Sequence, residues 1–386
     1  MFGAGIIMKS RINSLQAVRA LAFLGVFACH SGITVFSSGG AWGVSVFLIL
    51  SGFLMLYSYF DTDRIHSSGF IYSVRFGISK IKKIYPLHIA TMLLAVPYLI
   101  LGFRAYPEVG IMNPVVKIVT NTFLVQSWIP DHDIYFSLNG VSWYLSVSLF
   151  LYMMFPFILS RMRKYQGISA AFAAVAIGFA VQVVLAYVSY LIQINVVDND
   201  DFIRWFAYIF PLSRLEDFVI GCNLGYIFLQ EKKNNKIIGE RAYTWLEIGT
   251  IAIIVVELAA YVLLVTVPSE ADPTVRAENW WGLTVMWTLP SCAFIYLFAL
   301  NKGKLSRILT NKTLLFIGNL SANAFLIHHI VYRYLTTFEY KLFGSVFPWV
   351  NLFACFLITL ISSWAWDRIM NLYFSAYRSK RKAGIL

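Results

Sequence analysis

The chain has 386 residues, of which 59% are hydrophobic and 13% charged, with a formal net charge of +12. A soluble domain is about 45–50% apolar and about 25% charged, so this chain cannot cover its surface with polar groups, and lipid must be part of its solvent. At about 20 residues per crossing the length holds roughly ten to twelve spanning helices, with no polar stretch long enough for a second, soluble domain.

Taken in chain order, ten apolar stretches are long enough to span: 15–36, 43–60, 84–103, 142–160, 168–192, 207–229, 245–266, 281–300, 313–334 and 349–373. Basic residues fill alternate gaps: Lys9 and Arg11 before the first, then Arg64, Arg75, Lys80, Lys82 and Lys83, then Arg161, Arg163 and Lys164. Lys232, Lys233, Lys236 and Arg241, then Lys302, Lys304, Arg307 and Lys312, then Arg378, Lys380, Arg381 and Lys382 complete the series. The other gaps are poor in Lys and Arg, and 193–203 carries Asp198, Asp200 and Asp201. This alternation predicts an all-α polytopic membrane protein of about ten helices in a single domain over 1–386, with both termini cytoplasmic. It also accounts for most of the positive charge, so no nucleic-acid partner is expected. The stretch 104–141 contains a further apolar run, Val115 to Trp128, between two segments that already cross in opposite directions. It is expected to stay on the outer side as a loop with an interfacial or re-entrant helix.

Arg19 interrupts what would be the core of a signal peptide, so no cleavable leader is expected, and Met8 is an alternative start. Cys29, Cys222, Cys292 and Cys355 sit in or beside apolar stretches without CxxC spacing and read as small buried residues. No internal repeat suggests the inverted halves of a transporter.

Charges at membrane depth are costly and mark candidate sites. Arg19 and His30 lie 11 residues apart in the first stretch. At 100° per residue they share a face, roughly 16–17 Å apart along the axis, with the histidine nearer the outer side. That geometry suits an acyl-CoA, whose nucleotide needs cations and whose thioester lies at the far end of a long arm. An imidazole can take the proton of an attacking hydroxyl. The alternative is that Arg19 snorkels to the surface and His30 bonds a neighbouring helix. Cys29 is not expected to partner His30, because adjacent helical residues point about 100° apart.

Here the residues resemble a family. Arg19, ten intervening residues and His30 resemble the Arg-x10-His signature of acyltransferase family 3, integral membrane enzymes that O-acylate cell-surface sugars and related acceptors. Gly43 to Leu54, ending in Ser51-Gly52-Phe53-Leu54, resembles the second-helix motif, and Lys80-Ile81-Lys82-Lys83-Ile84-Tyr85-Pro86 resembles the Arg-x-x-Arg-Ile-x-Pro entry to the third. Ser142-Trp143-Tyr144-Leu145-Ser146-Val147 resembles the Trp-Ser-Leu segment, and Arg214 to Gly221 the Arg-x-x-x-Phe-x-x-Gly stretch. Gly318-Asn319-Leu320-Ser321 and Phe325-Leu326-Ile327-His328 resemble the late motifs. The resemblance runs from 15 to about 335, with six motifs in the family's order. It departs in three places: Lys80 and Lys83 replace arginines, Ser148 stands where the family often has Glu, and Ala322 where Tyr is common.

The resemblance implies a plasma (inner) membrane enzyme that transfers an acyl group, expected to be acetyl, from acyl-CoA to a hydroxyl of an envelope polysaccharide or lipid-linked sugar. No cofactor is held tightly; acetyl-CoA is a donor substrate. His30 is the expected general base, and Arg19 is expected to hold CoA phosphate or orient the donor. Lys80 and Lys83, three apart at a cytoplasmic helix start, suit the CoA phosphates or serve topology alone. Arg214, Glu216 and Asp217 bind a polar acceptor or pair with one another. Trp143 stacks on a sugar ring or joins the aromatic belt. His328 is expected to bond between helices, and no metal site is expected. The rival readings are a transporter or permease and a non-catalytic membrane partner of polysaccharide assembly.

Overall fold

The computed structural model describes residues 11–63, 65, 68–105, 112–164, 167–196, 200–234, 239–266 and 284–382. All of its regular structure is helical among these residues. The helices are α1 (Ser14–Cys29), α2 (Gly39–Tyr59), α3 (Phe70–Ile81), α4 (Tyr85–Ala105), α5 (Met112–Thr122), α6 (His132–Tyr135), α7 (Trp143–Lys164) and α8 (Ile168–Asn195). They continue as α9 (Asp200–Arg204), α10 (Leu215–Asn234), α11 (Glu240–Thr266), α12 (Val285–Leu300), α13 (Lys304–Leu309), α14 (Lys312–Phe343) and α15 (Pro348–Lys382). Each of the ten apolar stretches overlaps one of these helices. Among the described residues, seven helices are long and apolar enough to cross a membrane, and α1 and α12 are shorter apolar helices. The chain is an all-α polytopic membrane protein.

Burial separates an inner set from a peripheral one. The most apolar window of Thr34–Tyr59 is 72% buried within the protein, whereas that of Ile168–Gln193 is 11% buried and that of Glu240–Leu263 17%. The outer faces of α8, α11 and α15 therefore present large apolar side chains, as a lipid-facing surface requires. At the centre, α1, α2, α10 and α14 approach so closely that glycines are required. A Cβ on Gly221 would stand 1.9 Å from the Ile49 carbonyl oxygen, and one on Gly52 2.1 Å from that of Phe218. One on Gly318 would stand 2.0 Å from the Gln16 carbonyl, where α14 crosses α1. The obstacle is backbone in each case, so no rotamer change relieves it. Gly221→Ala is accordingly expected to destabilise the α2–α10 crossing by more than the ~1–3 kcal/mol of an ordinary overpacked core. The check is the thermal midpoint in nanodiscs against Gly249→Ala, whose Cβ meets nothing within 4 Å.

Three expectations about local structure need correction. The stretch before the third apolar segment, read as a basic loop, contains α3, which packs Gly77 against Leu149 and Met153 of α7. The sixth segment is not one helix from 207. Trp205–Ile209 forms a wide helical turn, Phe210 is extended at φ −65°, ψ 126°, Pro211–Arg214 forms a tight turn, and α10 starts at Leu215. Pro211 lacks the N–H a continuing helix needs and pushes its predecessor out of helical geometry. Finally, α4 begins only at Tyr85, with Pro86 in its first turn, where the missing N–H would have no intrahelical partner anyway. Lys80 thus ends α3 and Lys83 lies in the turn between helices, so the two do not share a helix start.

Within 104–141, α5 has 11 residues and is about 16 Å long, too short for a core of ~30 Å. The segment then closes through two tight turns and α6 before α7. Its inner side is held by a buried network. Asn121 donates to the Ser137 hydroxyl (2.7 Å) and accepts from that of Ser142 (3.0 Å), and Asn139 donates to the Leu326 carbonyl of α14 (2.8 Å).

Candidate active site

The C-terminal end of α1 opens into a cavity of about 490 Å³ lined in part by His30, Trp143, Tyr208, Phe325 and His329. His30 caps α1 at φ −86°, ψ 0°. Its Nδ1 lies 2.8 Å from the Val26 carbonyl, which can only accept, so Nδ1 carries the proton. His328 Nδ1 lies 3.2 Å from the Ala324 carbonyl and is protonated for the same reason, which leaves its Nε2 an acceptor. That Nε2 stands 3.3 Å from His30 Nδ1. The His30 N–H is therefore shared between Val26 and His328, and its Nε2 lone pair is left to the cavity. Two backbone carbonyls, each one helical turn back, thus set both tautomers.

His329 completes the cluster, with its ring 5.5 Å from that of His30 and its Nδ1 without a hydrogen-bond partner among the described residues. Among the described residues no group of three His, Cys, Asp or Glu is placed to hold a metal ion. Cys29 corrects another expectation. Its Sγ lies 3.3 Å from His30 Nδ1, because His30 is already leaving the helix and both side chains turn back to the Val26 carbonyl.

A family model described as an acyltransferase domain matches residues 12–367. The chain belongs to acyltransferase family 3. It is 26% identical to the acyltransferase MdmB of Streptomyces mycarofaciens over 353 residues, which cover 84% of this chain and 80% of MdmB. It is 21% identical to the O-acetyltransferase OatA of Staphylococcus aureus over 374 residues, 91% of this chain but 55% of OatA, so it spans about half the length of that relative. No solved structure matches. The protein is a membrane O-acyltransferase, and the transporter and non-catalytic readings give way to that.

The remaining sequence-derived candidates of the acyltransferase fall in different places. Arg19 points toward α7, in the field of the Tyr144 and Tyr152 hydroxyls, and forms no hydrogen bond or ion pair with a described residue. Tyr144 in turn lies beside Ser51 and Ser148. Ser148 is buried, and Tyr144 packs on Phe325 at 5.2 Å. Trp143 is 5% exposed and lies against Tyr208 at 5.1 Å, in the cavity wall and not in a lipid-facing belt. Lys80 bonds the Tyr59 hydroxyl and lies over the Tyr59 and Phe76 rings at 4.4 and 4.7 Å, while Lys83 is exposed. The structure does not bring these lysines to Arg19.

Arg214 is fully buried and bonds Asp217 at 2.6 Å. It stands behind Tyr208, 5.1 Å from that ring, and does not line the cavity. Glu216 does not line it either, and its Oε2 has no partner among the described residues. Sequence reasoning missed Tyr208, His329 and Arg204 as cavity residues. One signal was available for the histidines. His30 is 16 residues beyond Ser14 and His328 is 16 beyond Lys312, the first residues of α1 and α14 (30 − 14 and 328 − 312). Two helices rising from the same side place those residues at one depth.

Proposed function

We propose that this acyltransferase moves an acyl group, in the simplest case acetyl, from acyl-CoA entering on the cytoplasmic side to a hydroxyl of an envelope carbohydrate or lipid-linked sugar arriving from the outer side. It would act in the plasma membrane with both termini cytoplasmic. The observation that carries this reading is the His30 tautomer: a lone pair on Nε2 faces a cavity, while the proton on Nδ1 is already bonded.

In this reading the acceptor oxygen attacks the thioester carbonyl as His30 Nε2 takes the hydroxyl proton. The tetrahedral adduct collapses, the carbon–sulfur bond breaks, and the imidazolium returns the proton to the CoA thiolate. The products are the ester and free CoA. Val26 and His328 hold the imidazolium through its other N–H, and the His329 ring is close enough to bear on the carbonyl oxygen. Arg19, about three turns of helix before His30, would meet the donor on its way in. The bilayer-exposed surface of α8, α11 and α15 would be the lipid contact.

The test is CoA release by purified protein in nanodiscs, with radiolabelled acetyl-CoA and glycan or lipid-linked sugar fractions as acceptors. Release that requires acceptor, with label recovered as an ester on it, is the expected result. Binding of acyl-CoA without transfer to any hydroxylated fraction would sink the donor and acceptor assignment.

His328 acts through His30 and is a positioning residue in this scheme. His328→Phe, which keeps an aromatic ring among Phe23, Phe27 and Phe325, is expected to lower kcat by about 10- to 100-fold. That corresponds to the ~1.5–3 kcal/mol of a hydrogen bond to a charged group. The KM for acyl-CoA should stay within about twofold of wild type, and an equal rise in KM would mark a packing role instead.

A further inference from the structure

A second cavity, of about 410 Å³, adjoins the first. Phe136, which follows α6, lines both. The second cavity lies between α4, α5, α6 and α14, and its charged walls are Lys117, Arg333, His132 and Asp133. Lys117 is largely buried, 14% exposed, and its contact with the Asp133 carboxylate is loose, at 3.8 Å. Asp133 is 73% exposed and is shared with His132 at 3.8 Å. Arg333 stacks on the Tyr98 ring at 4.2 Å and gives one N–H to the Leu138 carbonyl at 3.1 Å. It makes no ion pair with a described residue. Two fixed cations thus face one weakly held carboxylate, and an anion of suitable size would be bound by both.

The position is as informative as the charge. Arg333 is four residues after His329 on α14, so it sits on the same face one turn further along, about 6 Å away. A group held by Arg333 is therefore separated from the His30 cavity by a distance comparable to the span of a hexose ring.

We infer that the second cavity seats a negatively charged group of the acceptor, a phosphate or carboxylate attached to the sugar, while the sugar's free hydroxyl reaches past Phe136 to His30. The inference rests on the proposed acyl transfer for its acceptor and on Lys117 and Arg333 for its anion. The charge belongs either to the diphosphate of a lipid-linked sugar or to an acidic sugar.

The experiment measures binding of inorganic pyrophosphate, and separately of glucuronate, to full-length protein in nanodiscs with CoA at saturation, so that the donor site is closed. Variants are Lys117→Gln, Arg333→Gln, Arg333→Lys and Asp133→Asn. The expected result is saturable binding by wild type, weakened at least tenfold by Lys117→Gln and Arg333→Gln and less by Arg333→Lys. Asp133→Asn should tighten it several-fold, an opposite sign that general misfolding would not produce. CoA affinity should not change. Whichever probe binds more tightly assigns the source of the charge. Lys117 and Asp133 lie in the short helices α5 and α6 and make only loose ion contacts, at 3.8 Å, so their variants stay informative if Arg333→Gln fails to fold. Absence of saturable binding by wild type, equal affinities across the variants, or weakening of CoA in parallel would overturn the site. Acyl transfer to a neutral glycoside is followed alongside. Transfer intact in every variant without anion binding removes the site and leaves the proposed reaction standing; anion binding with the expected pattern but no acyl transfer does the reverse.

Discussion

Replacing His30 by alanine is expected to lower kcat/KM for acyl transfer by about 10²- to 10⁴-fold, roughly 2.7–5.4 kcal/mol of transition-state stabilisation. The loss should fall on kcat. His30 Nε2 touches the reacting hydroxyl in the proposed scheme, whereas Arg19, which would meet the donor, lies 11 residues away. Acyl-CoA binding, followed with radiolabel, should therefore persist. The substitution should also cost little stability, because His30 is only half-buried and caps the helix with its backbone. The Val26 carbonyl it leaves behind keeps the Cys29 thiol at 3.0 Å. A mutant that binds acyl-CoA, melts like wild type and still releases CoA at the wild-type rate would remove His30 from the chemistry. The double variant with His328→Phe sharpens the test. If His328 works only through His30, the double variant should be no slower than His30→Ala alone, since residues that act as a unit are not additive.

The same residues indicate what a sequence can and cannot disclose in such a protein. Spans are legible because lipid imposes one length and one composition on them, and each apolar stretch overlaps a helix, although only seven of the described helices are long and apolar enough to cross. Helix α3 was missed because Arg75 and Lys80 break its apolar face and it is too short to register as a span. The boundaries at Tyr85 and Leu215 were displaced for a different reason. Pro86 and Pro211 set them, and hydrophobicity does not see a missing N–H. Arg19 and His30 were legible as a pair because both lie on one helix, where spacing fixes geometry. The hydrogen bond from His30 to His328 joins residues 298 positions apart, and no local pattern encodes it. Even there, equal counts from two helix starts were available. What no count supplies is the direction of the Nδ1 proton, which depends on two backbone carbonyls.

Asp217→Ala is expected to destabilise the protein by about 3–5 kcal/mol, because it strands the Arg214 guanidinium in a dry interior. Both partners are 0% exposed and 2.6 Å apart. The pair is also part of a chain that ties four helices. Arg214 reaches the Ser45 hydroxyl of α2, Asp217 accepts from Gln182 of α8 at 2.7 Å, and Gln182 accepts from Thr288 of α12 at 2.7 Å. Two Arg214 nitrogens, Nε and Nη1, have no hydrogen-bond partner among the described residues, so little remains to compensate the charge once Asp217 is gone. Arg214→Met with Asp217→Leu removes both charges and should be markedly more stable than either single variant, by midpoint and by folded yield in detergent. The comparison also separates the two roles the sequence left open for Arg214. If it serves only to brace Tyr208 and the bundle behind the His30 cavity, the double variant should regain acyl transfer with its folding. A double variant that folds like wild type yet shows a KM for acceptor raised tenfold or more would mean that the guanidinium reaches the acceptor during turnover, through a movement of Tyr208 that opens the wall between them.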